Sequence, residues 1–353
     1  MDAWVVSRHA DCQAVLRDNL RFARDSARIG NPTPAEFSSI QTEDPPSQLV
    51  LRRQVLKALH AQDIGSICNA AAVSMRERIE SRRGGQAFDF IAEIAAPIAM
   101  QLIVETLGVP GFEPGLYMQY STDLTRGMDS GVDPSRIEAA RSAGRRVRGD
   151  VATWFSAAPE GGMMLHLSEN EVVKAEAAGK SETYIANTLG GVFNAGFSTT
   201  VAATGSALQL LHERPDERAR LREVDDLVSA SHELLRFMSP AQATARYAVV
   251  ETEIAGQKIL PGQTIVTLLA SANRDETVFD EPEALIFDRN PNPHLAFAWG
   301  PHVCLGAQLA VGWMTEFIPL LIDMADSLEV VSAPHYLDSA TLRTIHSIEV
   351  AVH

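Results

Sequence analysis

The sequence predicts a mainly α-helical protein with a small β portion. Three observations carry this reading. Apolar residues recur at helical spacing through most of the first two thirds of the chain. The run from Ser181 to His212 is about 30 residues long and nearly uncharged through its middle, the mark of a buried helix. Runs of β-branched and apolar residues suited to strands are short and come late, at Tyr247–Glu253, Thr264–Leu269, Leu328–Val331 and Ser347–Val352.

Taken in order, Trp4-Val5-Val6-Ser7 reads as a short strand and Ala10–Asp18 as a helix. Ala27–Pro46, rich in Pro, Ser, Thr and Asn, reads as a loop. Helices are expected over Leu49–Ala61, Ile67–Ser81 and Phe88–Leu107. Val109-Pro110-Gly111 punctuates, and Glu113-Pro114 opens another helix. Asp129–Pro134 is a second loop, Ser135–Ala157 a basic helix, and Ala158-Pro159-Glu160-Gly161-Gly162 a break. Ser168 with Glu171 predicts a capping box for the next helix. No internal repeat or low-complexity segment is present, and the Pro/Gly loops separate helices rather than domains.

The chain has 353 residues, 46% of them hydrophobic, enough to bury a sizeable core. Its net charge of −15 argues against general nucleic-acid binding, which needs a basic surface. The three cysteines, Cys12, Cys68 and Cys304, are far apart and odd in number, so no disulfide framework is implied and a reducing cytoplasm is expected. No basic-then-apolar leader opens the sequence, and no apolar run reaches the roughly 18 residues of a membrane span. Ile91–Leu107 comes nearest and is interrupted by Glu93, Pro97, Gln101 and Glu105. A soluble protein without a membrane partner is expected.

The most informative stretch is His294-Leu295-Ala296-Phe297-Ala298-Trp299-Gly300-Pro301-His302-Val303-Cys304-Leu305-Gly306. A loop with Gly300 and Pro301 delivers Cys304 to the start of a helix-prone run, where unpaired backbone N–H groups and the helix dipole bias a thiol toward thiolate, the metal-binding form. Gly300 and Gly306 let the backbone approach something flat. A lone cysteine is more often core filler. Here, however, Phe297, Gly300, His302, Cys304 and Gly306 together match Phe-x-x-Gly-x-His-x-Cys-x-Gly, a coincidence with odds on the order of 10⁻⁵ from residue usage. The pattern resembles the haem-binding loop of the cytochrome P-450 family, soluble bacterial type. One departure is Ala298, where the family usually has a second glycine.

The resemblance covers almost the whole chain. It implies a single-domain P-450 fold over residues 1–353, with haem b held by the Cys304 thiolate as the iron's axial ligand, a ligand that favours O–O cleavage. Phe297 and Gly300 shape the loop. Arg246, His302 and Arg52 match the family's contacts to the haem propionates, where a guanidinium fork suits a carboxylate. Gln48 stands where the family commonly has a histidine. It keeps a hydrogen-bond donor but brings no charge. Glu233 and Arg236, one turn apart on a helix, with Arg289, match a trio that holds the proximal side of the pocket. This trio is read as structural, although such a pair taken alone is usually a surface contact worth a fraction of a kcal/mol.

In the long helix, Ala195-Gly196 followed by Thr199 resembles the family's distal helix, where the matching threonine hydrogen-bonds the bound O₂. Small residues there would otherwise read as tight helix packing. The family has an acid just before that threonine. This chain has Ser198, which can pass a proton only through water. Thr199 and Ser198 are the catalytic candidates, and Ala195 leaves space beside them. Substrate contacts are expected from Arg28–Thr42, the loops around Asp129 and Gly161, Val192–Gly196, Ala241–Thr244 and the turn near Ser339–Thr341. These are mostly apolar or small, which suggests a hydrophobic substrate.

The resemblance further implies a monooxygenase acting on a small hydrophobic molecule, a secondary-metabolite intermediate, with O₂ and electrons from NAD(P)H through a ferredoxin or similar protein. The family normally places a further helix and strand ahead of Trp4, and this chain begins after them. That departure, with Gln48 and Ser198, keeps open a P-450-like auxiliary partner that oxidises nothing. A haem-thiolate enzyme doing oxidative coupling, ring closure or peroxide-driven oxidation is a third reading.

Overall fold

The computed structural model describes residues 3–157, 160–180 and 183–353. The Ala158-Pro159 part of the expected break and Ser181, the expected start of the long helix, lie outside the described residues. The helices are α1 His9–Arg17, α2 Leu49–His60, α3 Ile64–Glu80, α4 Ala96–Leu107, α5 Pro114–Gly127, α6 Ile137–Ser156, α7 Gly162–Ser168, α8 Glu171–Ala178, α9 Tyr184–Glu213, α10 Pro215–Leu221, α11 Leu227–Met238, α12 Leu269–Ala272 and α13 Ala307–Met324. The strands are β1 Ala3–Val6, β2 Phe22–Ala23, β3 Phe88–Asp89, β4 Ala243–Ala248, β5 Thr252–Ile254, β6 Gln257–Ile259, β7 Thr264–Leu268, β8 Leu328–Val330, β9 His335–Tyr336, β10 Ile345–Ser347 and β11 Glu349–Val352.

The 30-residue helix α9 is the axis of the fold. Its apolar residues leave it nowhere to go but inside, and Tyr184, Phe193, Phe197, Val201 and Leu208 are all buried. It packs on α4, α6 and α11. Gly196 permits the α4 crossing, since a Cβ there would meet Ile103 Cδ1 at 2.6 Å. Gly205 does the same against Ile91 at 2.7 Å. Trp313 of α13 is buried and donates through Nε1 to Thr204 Oγ1 at 2.9 Å, which fixes α13 against α9.

The sheets are small and stand at the edges. The largest runs β1-β7-β4-β2, with β1 parallel to β7 and the other pairs antiparallel. A three-stranded sheet runs β3-β11-β8, and β5-β6 and β9-β10 are two-stranded. Three sequence expectations need correction. Phe88-Asp89 pairs with Val350 and Glu349 as strand β3, and the helical turns begin only after it, because the chain terminus supplies strand partners that no local pattern reveals. The expected strand Tyr247–Glu253 is two strands in different sheets, β4 and β5. The predicted Ser168/Glu171 box does not form. Asn170 caps α8 instead, its Oδ1 accepting from Val172 and Val173 N–H, while Ser168 ends α7 and donates to Leu165 O at 3.0 Å.

Candidate active site

On one side of the molecule lies a buried ion network. Glu233 and Arg236 sit one turn apart on α11 and are both fully buried. Arg236 donates through Nε and Nη2 to the two Glu233 oxygens, each at 2.8 Å, a bidentate pair. Arg289 Nε adds a bridge at 3.1 Å, Ile286 N–H donates at 2.9 Å and Asn292 Nδ2 at 3.2 Å. The remaining Arg236 donors meet the carbonyls of Asn273, Pro282 and Ala284. Burial works to raise the Glu233 pKa, but Arg236, the Ile286 amide and Arg289 together hold it below the ordinary glutamate value. The trio read from sequence is assembled, and its charged groups are satisfied.

Beside it runs the cysteine loop. The Cys304 N–H donates to Phe297 O at 2.9 Å, which folds the loop on itself. Gly300 has φ +73°, and a Cβ there would meet Leu16 O at 2.4 Å, so only glycine fits between this loop and α1. Ala298 also lies in the left-handed region, at φ 57°. Phe297 stands edge-on to His232 and close to His294.

Cys304 is exposed by area, yet burial is the main influence on its thiol and raises its pKa. The Gly306 amide and Arg52 pull the other way without overcoming it. Water reaches the residue from one side while protein surrounds it on the others, and the pKa reflects that surrounding protein. The expected bias toward thiolate is therefore corrected. Gly306 caps the start of α13, so the helix terminus does reach the thiol through that amide, but burial outweighs it. The protein alone favours the thiol, and a bound metal cation would be needed to displace the proton. Cys12 and Cys68 are buried, with thiols pushed up to about 12.

Next to the loop is a cluster of cations. Arg246 is almost fully buried. Its Nη1 donates to Ala245 O at 2.8 Å, but Nη2 has no hydrogen-bond partner among the described residues. Burial, with the Arg24 charge, lowers its pKa to about 9. Burial likewise lowers the pKa values of Arg24 and Arg52. Asp44 partly offsets Arg24 and Arg246, and it accepts from the Arg24 and Asp25 amides and from His302 Nε2 at 2.8 Å. Gln48 Nε2 lies 3.3 Å from the same His302 nitrogen, and Arg52 Nη2 donates to Val303 O. The sequence reading missed Asp44 and Arg24. Asp44 was in view, just before Pro45-Pro46, but nothing local marks its partner 258 residues away.

The unspent Nη2 of Arg246 tests the fit of the implied cofactor. A buried guanidinium with a free donor, beside a second arginine and Cys304, suits a bound group that brings carboxylates and a metal. The donor set fits haem.

In the middle of α9, Ala195 is exposed and Thr199 half-exposed, although Phe193, Phe197 and Ser198 around them are buried. A cleft therefore reaches this turn of the helix. Thr199 Oγ1 donates to Ala195 O at 2.7 Å. Of the pair Ala195-Gly196, the first faces the cleft and the second serves packing. Ser198 turns elsewhere, as neighbours on a helix do. It lines a separate cavity with residues of α5 and of the chain's last hairpin.

The expected substrate-contact segments come together in two groups. The Ser38–Ile40 part of the Arg28–Thr42 stretch lies on α9, with Asn187 Nδ2 donating to Ser38 O at 2.9 Å and Ile40 N–H to Thr188 Oγ1 at 3.3 Å. Asp129 accepts from Ala340 N–H at 2.9 Å and Thr341 Oγ1 at 2.6 Å, and Gln242 N–H donates to Thr341 O at 2.9 Å. The loop at Gly161 is placed otherwise and packs on Gly108 beyond α4.

The chain is 30% identical to nocardicin C N-oxygenase of Nocardia uniformis subsp. tsuyamanensis, over 94% of this chain and 84% of that protein. It is 32% identical to a steroid C26-monooxygenase of Mycolicibacterium smegmatis, over 84% of this chain and 75% of that one. The cytochrome P450 family model matches residues 163–323. The chain belongs to the cytochrome P450 family. Among solved structures, this P450 resembles that of the bacillaene polyketide synthase of Bacillus subtilis 168, with TM-score 0.85 and 26% identity over 99% of this chain and 90% of that one. Membership makes this P450 an oxidoreductase of the monooxygenase type and implies haem-thiolate iron and O₂. Among the described residues no helix is long and apolar enough to cross a membrane.

Proposed function

We propose that this P450 inserts one atom of O₂ into a largely hydrophobic secondary-metabolite intermediate, with electrons from NAD(P)H relayed by a ferredoxin or similar protein. The whole of residues 1–353 acts as one haem-thiolate domain. The observation that carries the reading is the Arg246 side chain, buried with a free donor beside Arg24, His302 and the Cys304 loop. Relatives named as a nocardicin C N-oxygenase and a mycinamicin IV hydroxylase/epoxidase support the substrate class. Free cysteines at positions 12 and 68 fit a cytoplasmic setting.

Cys304 would hold the iron, and Arg246, Arg52 and His302 would hold the propionates. When bound, the haem supplies the binding and splitting of O₂. Phe297 and Gly300 shape the loop around the sulfur. Asp44 keeps His302 oriented, and Gln48 beside it would offer an uncharged amide donor. On α9, Ala195 leaves space, and Thr199 positions a proton at its hydroxyl, whose hydrogen now rests on Ala195 O. The apolar and small residues of the Arg28–Thr42, Val192–Gly196 and Ala241–Thr244 stretches would exclude water from the substrate. An auxiliary protein without chemistry would have no use for a free buried guanidinium beside an accessible cysteine.

The test is the absorption spectrum of the reduced protein under carbon monoxide. Wild type, Cys12→Ala and Cys68→Ala should show the far-red Soret band of a thiolate-bound haem, and Cys304→Ala should not. Retention of that band in Cys304→Ala overturns the assignment.

A further inference from the structure

We propose that His232 and His294 form a clasp of two neutral imidazoles that pins the cysteine loop to α11, and that mild acid opens the clasp and releases the loop. The proposal rests on the haem-thiolate reading, because what the clasp holds in place is Cys304. His294 opens the loop and is buried, and His232 stands half-buried on α11 just before Glu233. His232 Nδ1 and His294 Nε2 lie 2.9 Å apart. The ring of Phe297, whose carbonyl holds the Cys304 N–H, lies close to both imidazoles. Both histidines act on Cys304 through Phe297 and are positioning residues.

The hydrogen bonds fix where the protons sit. Ala296 N–H donates to His294 Nδ1 at 3.3 Å, so that nitrogen carries a lone pair. The His294 hydrogen is then on Nε2, which donates it to His232 Nδ1. His232 Nδ1 accepts, so its own hydrogen is on Nε2. A further proton on His294 Nδ1 would face the Ala296 N–H, and one on His232 Nδ1 would face the His294 N–H. Either costs one of the two bonds. His9 is the contrast. Its Nε2 donates to Pro293 O at 2.8 Å and keeps donating when the other ring nitrogen is protonated, so acid leaves that anchor of the loop in place. Burial lowers the pKa of both clasp rings, and the His232 and Arg236 charges add to it at His294, which falls to about 4. Asp226 opposes this at His232 and Glu233 opposes it at His294, without prevailing. With both values lowered in the fold, the clasp's contribution is present above the ordinary histidine pKa of about 6.5 and is lost as pH falls toward the folded values.

The experiment follows the far-red carbon monoxide band of the reduced holoprotein from about pH 7.5 to about pH 5, across the ordinary histidine pKa, in wild type, His232→Asn and His232→Leu. An asparagine Oδ1 can accept where the histidine Nδ1 does, but it takes up no proton. His232→Asn should keep the band at neutral pH and lose it at lower pH than wild type. His232→Leu strands the His294 donor and should lose the band about 5–10-fold faster at neutral pH, the worth of one hydrogen bond. Protonation of the sulfur itself is common to all three proteins and cancels in the comparison. The same half-loss pH in wild type and His232→Asn overturns the acid release, and a band as durable in His232→Leu as in wild type overturns the clasp. If His232→Leu does not fold, the asparagine variant decides alone. A wild type without the band at neutral pH overturns the haem-thiolate reading and this proposal with it, a failure seen before any variant is compared.

Discussion

The two regions that the family resemblance assigns to the proximal and distal sides of the haem are built on opposite rules. On the proximal side, Glu233, Arg236 and Arg289 spend nearly every donor and acceptor on one another and on loop carbonyls. On the distal side, α9 carries an exposed alanine, a threonine whose hydroxyl is turned back on its own helix, and a buried serine whose hydroxyl has no hydrogen-bond partner among the described residues. A saturated network holds one geometry, because any change leaves a buried charge alone. An unsaturated wall keeps polar atoms available for what binds there. The difference predicts that substitutions on the proximal side damage the fold, and those on the distal side damage the chemistry.

The largest effect is expected from Glu233→Ala. It strands two buried guanidinium groups, at a cost of about 3–5 kcal/mol. The denaturant midpoint should fall sharply and the protein should carry little haem. The sign with pH follows from Glu233 having its pKa lowered in the fold. Its contribution is present above the unfolded glutamate pKa and is lost as pH falls through the lower folded value. Acid unfolding monitored by circular dichroism should therefore move to lower pH in wild type than in Glu233→Gln. Normal melting with full haem in Glu233→Ala would break the comparison on its firmer side.

Thr199→Ala should leave melting and haem content unchanged while product per NAD(P)H falls and hydrogen peroxide rises. A positioned proton donor contributes about 10²–10⁴-fold to the step it serves. Unchanged coupling would mean that oxygen activation bypasses α9. Between the two sides stand the cofactor contacts. Arg246→Leu removes a buried cation with a free donor, so it should weaken haem retention strongly, whereas Gln48→Leu, which removes a neutral group, should weaken it about half as much. Competition with apomyoglobin for haem measures both. Equal loss from the two would count against Arg246 as the principal anchor.

Much of this was legible in the sequence, and the rest failed for identifiable reasons. Phe297, Gly300, His302, Cys304 and Gly306 fall within ten positions, and Glu233 and Arg236 lie one turn apart, so local spacing exposed both. The 30-residue uncharged run announced α9 in the same way. Asp44 and Arg24 stayed hidden because they join His302 and Arg246 across more than two hundred positions. The β3 strand reads locally as helix because its partner, β11, lies far along the chain. Ser198 was placed beside Thr199 by sequence adjacency, but successive residues on a helix point about 100° apart. The thiolate bias of Cys304 was argued from a helix terminus, and the structure makes burial the stronger influence.

The smallest predicted effect lies in the cysteine loop, where the proximal side carries strain. Ala298 has φ 57° in a region that L residues enter at a cost of roughly 1–2 kcal/mol. Glycine enters it freely but gives up more freedom on folding, about 0.5–1 kcal/mol. Ala298→Gly should therefore stabilise the protein by about 0.5–1 kcal/mol, seen as a rise of about 2 °C in melting temperature. The gain must come from the loop alone, so the carbon monoxide spectrum and coupling should not move. If Ala298→Gly instead lowers the melting temperature, the methyl makes contacts that outweigh its backbone cost. The departure from the family's second glycine would then be a packing device belonging to the saturated side.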